Sequence, residues 1–289
     1  MVGRCAARSG GGRRYPGAVE FVKGHGTEND FVVLPDLDDR LDLTVARVQA
    51  LCDRQRGLGA DGVLRVVRSD GKWFMDYRNA DGSIAEMCGN GLRLFARYLV
   101  DAGHQPQGTF VVATRAGDRT VTTHPDGSVT NDMGPARVTG TSIAAVNGQG
   151  FGGFAVDVGN PHLACVVDTP VDGFDLTVPP GYDPVMFPHG VNVELINVLT
   201  PASDAGERGA LRMRVYERGV GETRSCGTGT VASVASWLAG QGRTTGSATV
   251  DVLGGQVTVT IAPTTSTLTG PAVLVARGEL DKSWWDALV

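Results

Sequence analysis

Met87-Cys88-Gly89-Asn90-Gly91 runs directly into Leu92-Arg93-Leu94-Phe95-Ala96-Arg97-Tyr98-Leu99. In the second half of the chain, Ser225-Cys226-Gly227-Thr228-Gly229 runs into Thr230-Val231-Ala232-Ser233-Val234-Ala235-Ser236-Trp237-Leu238. Each stretch sets a cysteine just before a Gly-x-Gly turn that opens an apolar helical pattern. A sulfur so placed meets unpaired backbone N–H groups and the positive end of the helix dipole, which favour its thiolate.

The likeness continues upstream. Trp73-Phe74-Met75-Asp76-Tyr77-Arg78-Asn79 and Leu211-Arg212-Met213-Arg214-Val215-Tyr216-Glu217 are both alternating, strand-like runs. Each passes through a Gly-containing turn, Asp81-Gly82-Ser83 or Gly219-Val220-Gly221, to reach its cysteine. Further back, Glu28-Asn29-Asp30-Phe31 is echoed by Gly159-Asn160-Pro161-His162. Asn29 precedes Cys88 by 59 residues and Asn160 precedes Cys226 by 66, so a single loop insertion accounts for the difference. The chain reads as an internal duplication.

Most other segments are short β-branched strands, such as residues 108–114, 119–123, 247–253 and 256–261. Besides the two cysteine helices, residues 44–56 form the clearest helical pattern. Many strands and one main helix per half predict an α/β (α+β) fold of two pseudo-symmetric domains. Each is a curved mixed or antiparallel sheet wrapped around a central helix. The expected division is a disordered tail over residues 1–17, a first half over 18–133 plus 274–289 with Cys88, and a second half over 134–273 with Cys226.

At 289 residues, two domains of ordinary size are the natural expectation. Net charge is −5 with no basic stripe, which argues against nucleic acid as a partner. The apolar runs are too short to span a bilayer. The Arg- and Gly-rich N-terminus has no apolar core of a secretory signal. Five cysteines in no Cys-x-x-Cys pattern, with five scattered histidines, fit reduced thiols and no structural metal site, hence a cytoplasmic protein.

Cys52 and Cys165 lie in apolar patterns and read as core residues, and Cys5 lies in the tail. Cys88 and Cys226, repeated at helix starts, read as a pair facing one small substrate across an interdomain cleft. Two opposed thiols suit inversion of a carbon bearing a hydrogen: one removes the proton, the other returns one to the opposite face. The carbanion needs donors aimed at an adjoining carboxylate, and the backbone amides of Gly89, Asn90, Gly227 and Thr228 can supply them. No lysine stands in a recognisable pyridoxal phosphate setting, so the expectation is cofactor-independent. On the residues alone, a racemase of proline-like or glutamate-like substrates, a thiol–disulfide redox protein and a simple anion-binding module remain open.

The motifs also resemble a family. Phe21-Val22-Lys23-Gly24-His25-Gly26-Thr27-Glu28-Asn29-Asp30-Phe31, Asn79-Ala80-Asp81-Gly82-Ser83, Cys88-Gly89-Asn90-Gly91, Gly159-Asn160-Pro161-His162, Val191-Asn192 and Glu217-Arg218-Gly219-Val220-Gly221-Glu222-Thr223 with Cys226-Gly227-Thr228-Gly229 strongly resemble diaminopimelate epimerases. They occur in order over nearly all the chain after Val19. The resemblance implies a two-base, cofactor-free interconversion of LL- and meso-diaminopimelate, in the route to lysine and peptidoglycan precursors, by a homodimer. It makes Cys88 and Cys226 the acid–base pair, with His162 and Glu217 tuning them and Glu217 also holding substrate. It implies that Asn29, Asn79, Asn160, Asn192 and Arg218 bind substrate, Arg218 as a clamp on the distal carboxylate. Two departures stand out: Glu28 where the family usually has Gly, and Gly62 where some members carry Gln.

Overall fold

The computed structural model describes residues 18–201 and 208–288. The tail expected over residues 1–17, with Cys5, lies outside them. Strands β1 (Glu20–Gly26), β2 (Asn29–Pro35), β3 (Gly62–Ser69), β4 (Lys72–Asn79), β5 (Thr109–Thr114), β6 (Gly117–Thr123) and β7 (Ser128–Gly134) occupy the first half of the chain. After them come β8 (Arg137–Val146), β9 (Gln149–Asp157), β10 (Pro161–Val166), β11 (Asn192–Thr200), β12 (Gly209–Glu217) and the three-residue β13 (Gly221–Thr223). Last are β14 (Gly246–Val252), β15 (Gly255–Ile261), β16 (Ser266–Pro271) and β17 (Val273–Glu279). The helices are α1 (Val45–Cys52), α2 (Gly89–Asp101), α3 (Gly227–Gly240) and the short α4 (Lys282–Asp286).

Strand pairing carries the duplication. One array runs β17-β1-β2-β3-β4-β5-β6-β7; in that order its pairs are antiparallel, antiparallel, parallel, antiparallel, parallel, antiparallel, antiparallel. The other runs β8-β9-β10-β11-β12-β14-β15-β16 and repeats the same series of pairings. The parallel steps need crossover connections, and α2 and α3 provide the equivalent ones, between the fifth and sixth strand of each array. The C-terminal strand β17 fills in the first array the edge place that β8 fills in the second. The two arrays join where β7 pairs with β16.

Each central helix is buried nearly all round, as a helix enclosed by a curved sheet must be. In α2, Leu92, Leu94, Phe95, Ala96, Tyr98 and Leu99 are buried; in α3, Val231, Ala232, Val234, Ala235, Trp237 and Leu238 are. Truncating Leu92, Phe95 or Leu99, all without exposure, to alanine costs about 2–5 kcal/mol each. Both helices end at glycines in the left-handed region, Gly103 (φ 72°) and Gly242 (φ 69°), which release the chain without a Cβ clash.

Helix α1 is shorter than the sequence pattern suggests. It stops at Cys52 because the Asp53 carboxylate accepts the Gln55 and Arg56 N–H groups, folding these residues into a turn. Among the described residues no helix is long and apolar enough to cross a membrane.

Candidate active site at two opposed helix ends

Cys88 and Cys226 are the N-cap residues of α2 and α3, both extended, with φ −138° and −119°. The two helix starts face each other closely: a Cβ built on Gly227 would lie 3.8 Å from the Gly89 Cα. The Met133 methyl packs beside both positions, 3.2 Å and 3.5 Å from such Cβ atoms. A Cβ at residue 89 would crowd Met133, whereas one at residue 227 would make ordinary contact. Two sets of unpaired N–H groups therefore converge on one small region, the electrostatic arrangement of an anion site.

Around Cys88, the thiol donates to Asn29 Oδ1 at 3.5 Å. Asn29 Nδ2 donates to Asp61 Oδ2 at 2.7 Å, and Arg54 bridges Asp61 and Asp30, at 2.7 and 2.8 Å, behind it. Asn90, buried, spans the two halves: Nδ2 reaches Ser225 O at 3.2 Å and Asn29 Oδ1 at 3.3 Å. Burial pushes the Cys88 thiol up, while the Asn90 and Gly91 amides pull the other way.

Around Cys226, the Gly229 N–H donates to Sγ at 3.4 Å and the Thr228 hydroxyl lies at 3.6 Å. Burial pushes this thiol well above the usual range, and the carboxylates of Glu217 and Glu194 add to the rise. Glu217 accepts the Thr223 hydroxyl. His162 is wholly buried, with Nδ1 2.6 Å from Glu194 Oε1 and Nε2 2.9 Å from Asn160 Oδ1. Burial raises Glu194, opposed by His162. Sequence reading missed Glu194. Its only signal was position: it lies two residues after Asn192 on β11, on the same face.

Asn192 binds the Arg218 N–H through Oδ1 at 2.9 Å and donates to Pro161 O at 3.1 Å. The Arg218 guanidinium is exposed and holds His189 O at 3.0 Å. Asn79 sits at the end of β4, its amide bonded to Ser83 Oγ at 3.0 Å, so its side chain closes that turn. A surface cavity of about 690 Å³, lined by residues such as Ile143, Phe154 and Asp183, does not include either central cysteine.

The two departures noted in the sequence have local explanations. Glu28 has φ 60°, in the left-handed region where glycine is at ease. Its carboxylate pairs with Arg224 of the opposite half, and its N–H meets His25 Nδ1 at 3.2 Å. At Gly62, a Cβ would stand 2.6 Å from Arg78 O and 2.8 Å from the Tyr77 ring, so this backbone leaves no room for a larger residue.

The sequence profile of diaminopimelate epimerase matches residues 21–139 and 154–275. The chain belongs to the diaminopimelate epimerase family. It is 54% identical to the diaminopimelate epimerase of Rhodococcus erythropolis (strain PR4 / NBRC 100887), covering 94% of this chain and 99% of that one. To that of Mycolicibacterium smegmatis (strain ATCC 700084 / mc(2)155) it is 55% identical, covering 93% and 99%. Solved structures share the fold at low identity. A Bacillus anthracis phenazine biosynthesis protein of the PhzF family has a TM-score of 0.70 at 14% identity, over 91% of this chain and 99% of that one. A hydroxyproline epimerase from Agrobacterium vitis, solved with trans-4-hydroxy-L-proline, has a TM-score of 0.61 at 16% identity, over 94% and 96%. The epimerase family's α+β fold, with few helices in a large mixed sheet, is the fold of this chain.

Proposed function

We propose that this protein epimerises LL-2,6-diaminopimelate to the meso isomer with Cys88 and Cys226 as opposed acid and base. The observation that carries this reading is that two cysteines cap two helices whose N-termini meet face to face. One thiolate takes the α-proton while the other thiol protonates the opposite face, so the roles exchange with direction. The negative charge that builds on the α-carboxylate is stabilised by the backbone N–H groups of Gly89, Asn90, Gly227 and Thr228 at the two helix starts. Glu217, with the buried His162 beside Cys226, completes the reacting end. Asn29, Asn79, Asn160, Asn192 and Arg218 hold the distal end, Arg218 through its exposed guanidinium.

In this reading the halves are domains over residues 18–133 plus 274–289 and 134–273. The enzyme is cytoplasmic, works without a cofactor, and acts as a homodimer on this small molecule. The test is solvent deuterium incorporation at the α-carbon of LL-diaminopimelate, followed by mass spectrometry under reducing conditions. Cys88→Ser and Cys226→Ser should each abolish epimerisation. Full epimerisation by either variant, or turnover of proline in preference to diaminopimelate, would refute the assignment.

A further inference from the structure

The strand registers and helix offsets around the thiols correspond between the two arrays. The β2–β3 register pairs Phe31 with Gly62, and the β10–β11 register pairs His162 with Asn192. One step on, Leu64 in the first half corresponds to Glu194 in the second. The contacts agree: a Cβ on Gly91 would meet Leu64 and Phe31, and one on the equivalent Gly229 would meet Glu194. On the helices, Arg93 and Val231 each stand five residues after their cysteine. At the strand ends, Asn79 and Glu217 correspond.

These substitutions segregate charge. Beneath Cys88 lie Phe31, Leu64 and the cation Arg93, and the neutral Asn79 holds the strand-end position that Glu217 holds in the second half. Near Cys226 lie Val231, Glu217 and the hydrogen-bonded His162–Glu194 pair. Arg93 has no exposure at all, and among the described residues no carboxylate bonds it. Its guanidinium donates to Thr27 Oγ1 at 2.7 Å, Asn90 Oδ1 at 2.8 Å, Pro271 O at 3.3 Å and Gly89 O at 3.4 Å. A buried guanidinium bonded only to neutral oxygens is an uncompensated positive charge, one residue's carbonyl away from Cys88.

We propose that Arg93 is a positioning residue that breaks the symmetry of the thiol pair, so that the first proton lost leaves Cys88 and the remaining one stays on Cys226. This rests on the two-thiol reading above and goes beyond it by assigning the resting protonation. Among the described residues, the titratable groups that bear on the two thiols are Arg93, Glu217 and the His162–Glu194 pair, whose imidazole sits behind Glu194. Arg93 favours the Cys88 thiolate, Glu217 opposes ionisation of both thiols, and Glu194 opposes that of Cys226. The weak S–H bond to Asn29 Oδ1 opposes loss from Cys88 and is the smallest of these. Burial pushes Arg93 down to about 10, with the Cys88 thiolate acting against that fall. The substrate stereoisomer whose α-hydrogen faces Cys88 then meets an enzyme already in the form it needs.

The test follows iodoacetamide alkylation against pH by peptide-resolved mass spectrometry, which separates Cys88 and Cys226 from Cys5, Cys52 and Cys165. The midpoint of each rate–pH curve is compared, because access scales a rate without moving its midpoint. In the wild type, Cys88 should have the lower midpoint. Arg93→Met should raise the Cys88 midpoint by about one unit, a tenfold loss of thiolate at a given pH, and Arg93→Lys should restore it. A lower midpoint at Cys226 in the wild type overturns the proposal, even if Arg93→Met does not fold. So does an unmoved Cys88 midpoint in a folded Arg93→Met protein. Because alkylation needs no turnover, failure of the two-thiol reading shows only in the deuterium assay and is distinguishable from failure here.

Discussion

Gly91 and Gly229 occupy the same place in two equivalent helices, so replacing each by alanine compares the two halves of the site with one perturbation. Neither has a positive φ, and both lie in a helix, so each variant gains the same helix propensity of up to about 1 kcal/mol. The contacts differ. The new methyl at residue 91 would meet a Leu64 methyl at 3.2 Å, against 3.4 Å for ordinary contact, so a shift of about 0.2 Å relieves it. At residue 229 it would stand 2.6 Å from Glu194 Oε1, requiring about 0.8 Å. Leu64 can yield by a small torsion, whereas Glu194 is fully buried and held 2.6 Å from His162. Overpacking of that kind costs about 1–3 kcal/mol. A displacement near 1 Å in a catalytic constellation costs about 100-fold in rate. We therefore expect Gly229→Ala to lower kcat for diaminopimelate epimerisation by about 100-fold and to melt below wild type. Gly91→Ala should lose less than about tenfold and melt at or above wild type. The assays are α-deuterium incorporation and scanning calorimetry. Equal effects, or a larger loss in Gly91→Ala, would refute the claim that the His162–Glu194 pair is held rigidly against α3.

Three further outcomes follow from the same geometry. Glu28→Gly relieves the left-handed conformation, about 1 kcal/mol, but loses a half-exposed ion pair worth about 0–1 kcal/mol and gains chain entropy when unfolded. Denaturant melts should therefore shift by less than about 1 kcal/mol, with a weaker dependence on salt. Cys165 is pushed up to about 12 from the usual 9.0, first by burial and then by Glu194. Its contribution to stability is complete below pH 9 and is lost as pH rises through about 12, so Cys165→Ala should flatten the alkaline limb of the stability–pH curve. At Asp76, burial raises the carboxyl, but bonds from Arg78 and Arg115 outweigh it and hold it below the usual value. That stabilisation is present above the unfolded value of about 4 and disappears as pH falls through the lower folded one. Asp76→Asn should destabilise by about 3–5 kcal/mol at pH 7, with the gap to wild type closing in acid melts.

The repeated Cys-Gly-x-Gly stretches made the central helices and the fold class legible, because a helix start and its apolar pattern are local signals. The strands around residues 109–114 and 255–261 were legible for the same reason. The end of α1 was not, since Asp53 stops it with a side-chain bond that competes with a continuing apolar pattern. Nor was the task of Glu194. A lone Glu in the strand Asn192–Thr200 looks solvent-facing until the fold buries it against His162. Arg93 was hidden by the opposite ambiguity: in a run of apolar residues one arginine reads as a solvated tip. Only the closing of β1 and β16 around α2 shows that it has no route to water.

The placement of β17 has a bearing on how the molecule is made. Its partner β1 begins at Glu20 and pairs there with Glu279, so the first array lacks one edge until almost the whole chain has been synthesised. Closing a loop of roughly 250 residues carries an entropy penalty that grows only as the logarithm of its length, but it delays the contact that rewards it. While the second half is still being translated, β1 is left with β2 as its sole strand neighbour, an open sheet edge of the kind that pairs with other chains. Maturation of the site beside Cys88 is thus tied to the arrival of the C-terminus. A chain halted before residue 273 would hold both thiols and still lack that strand.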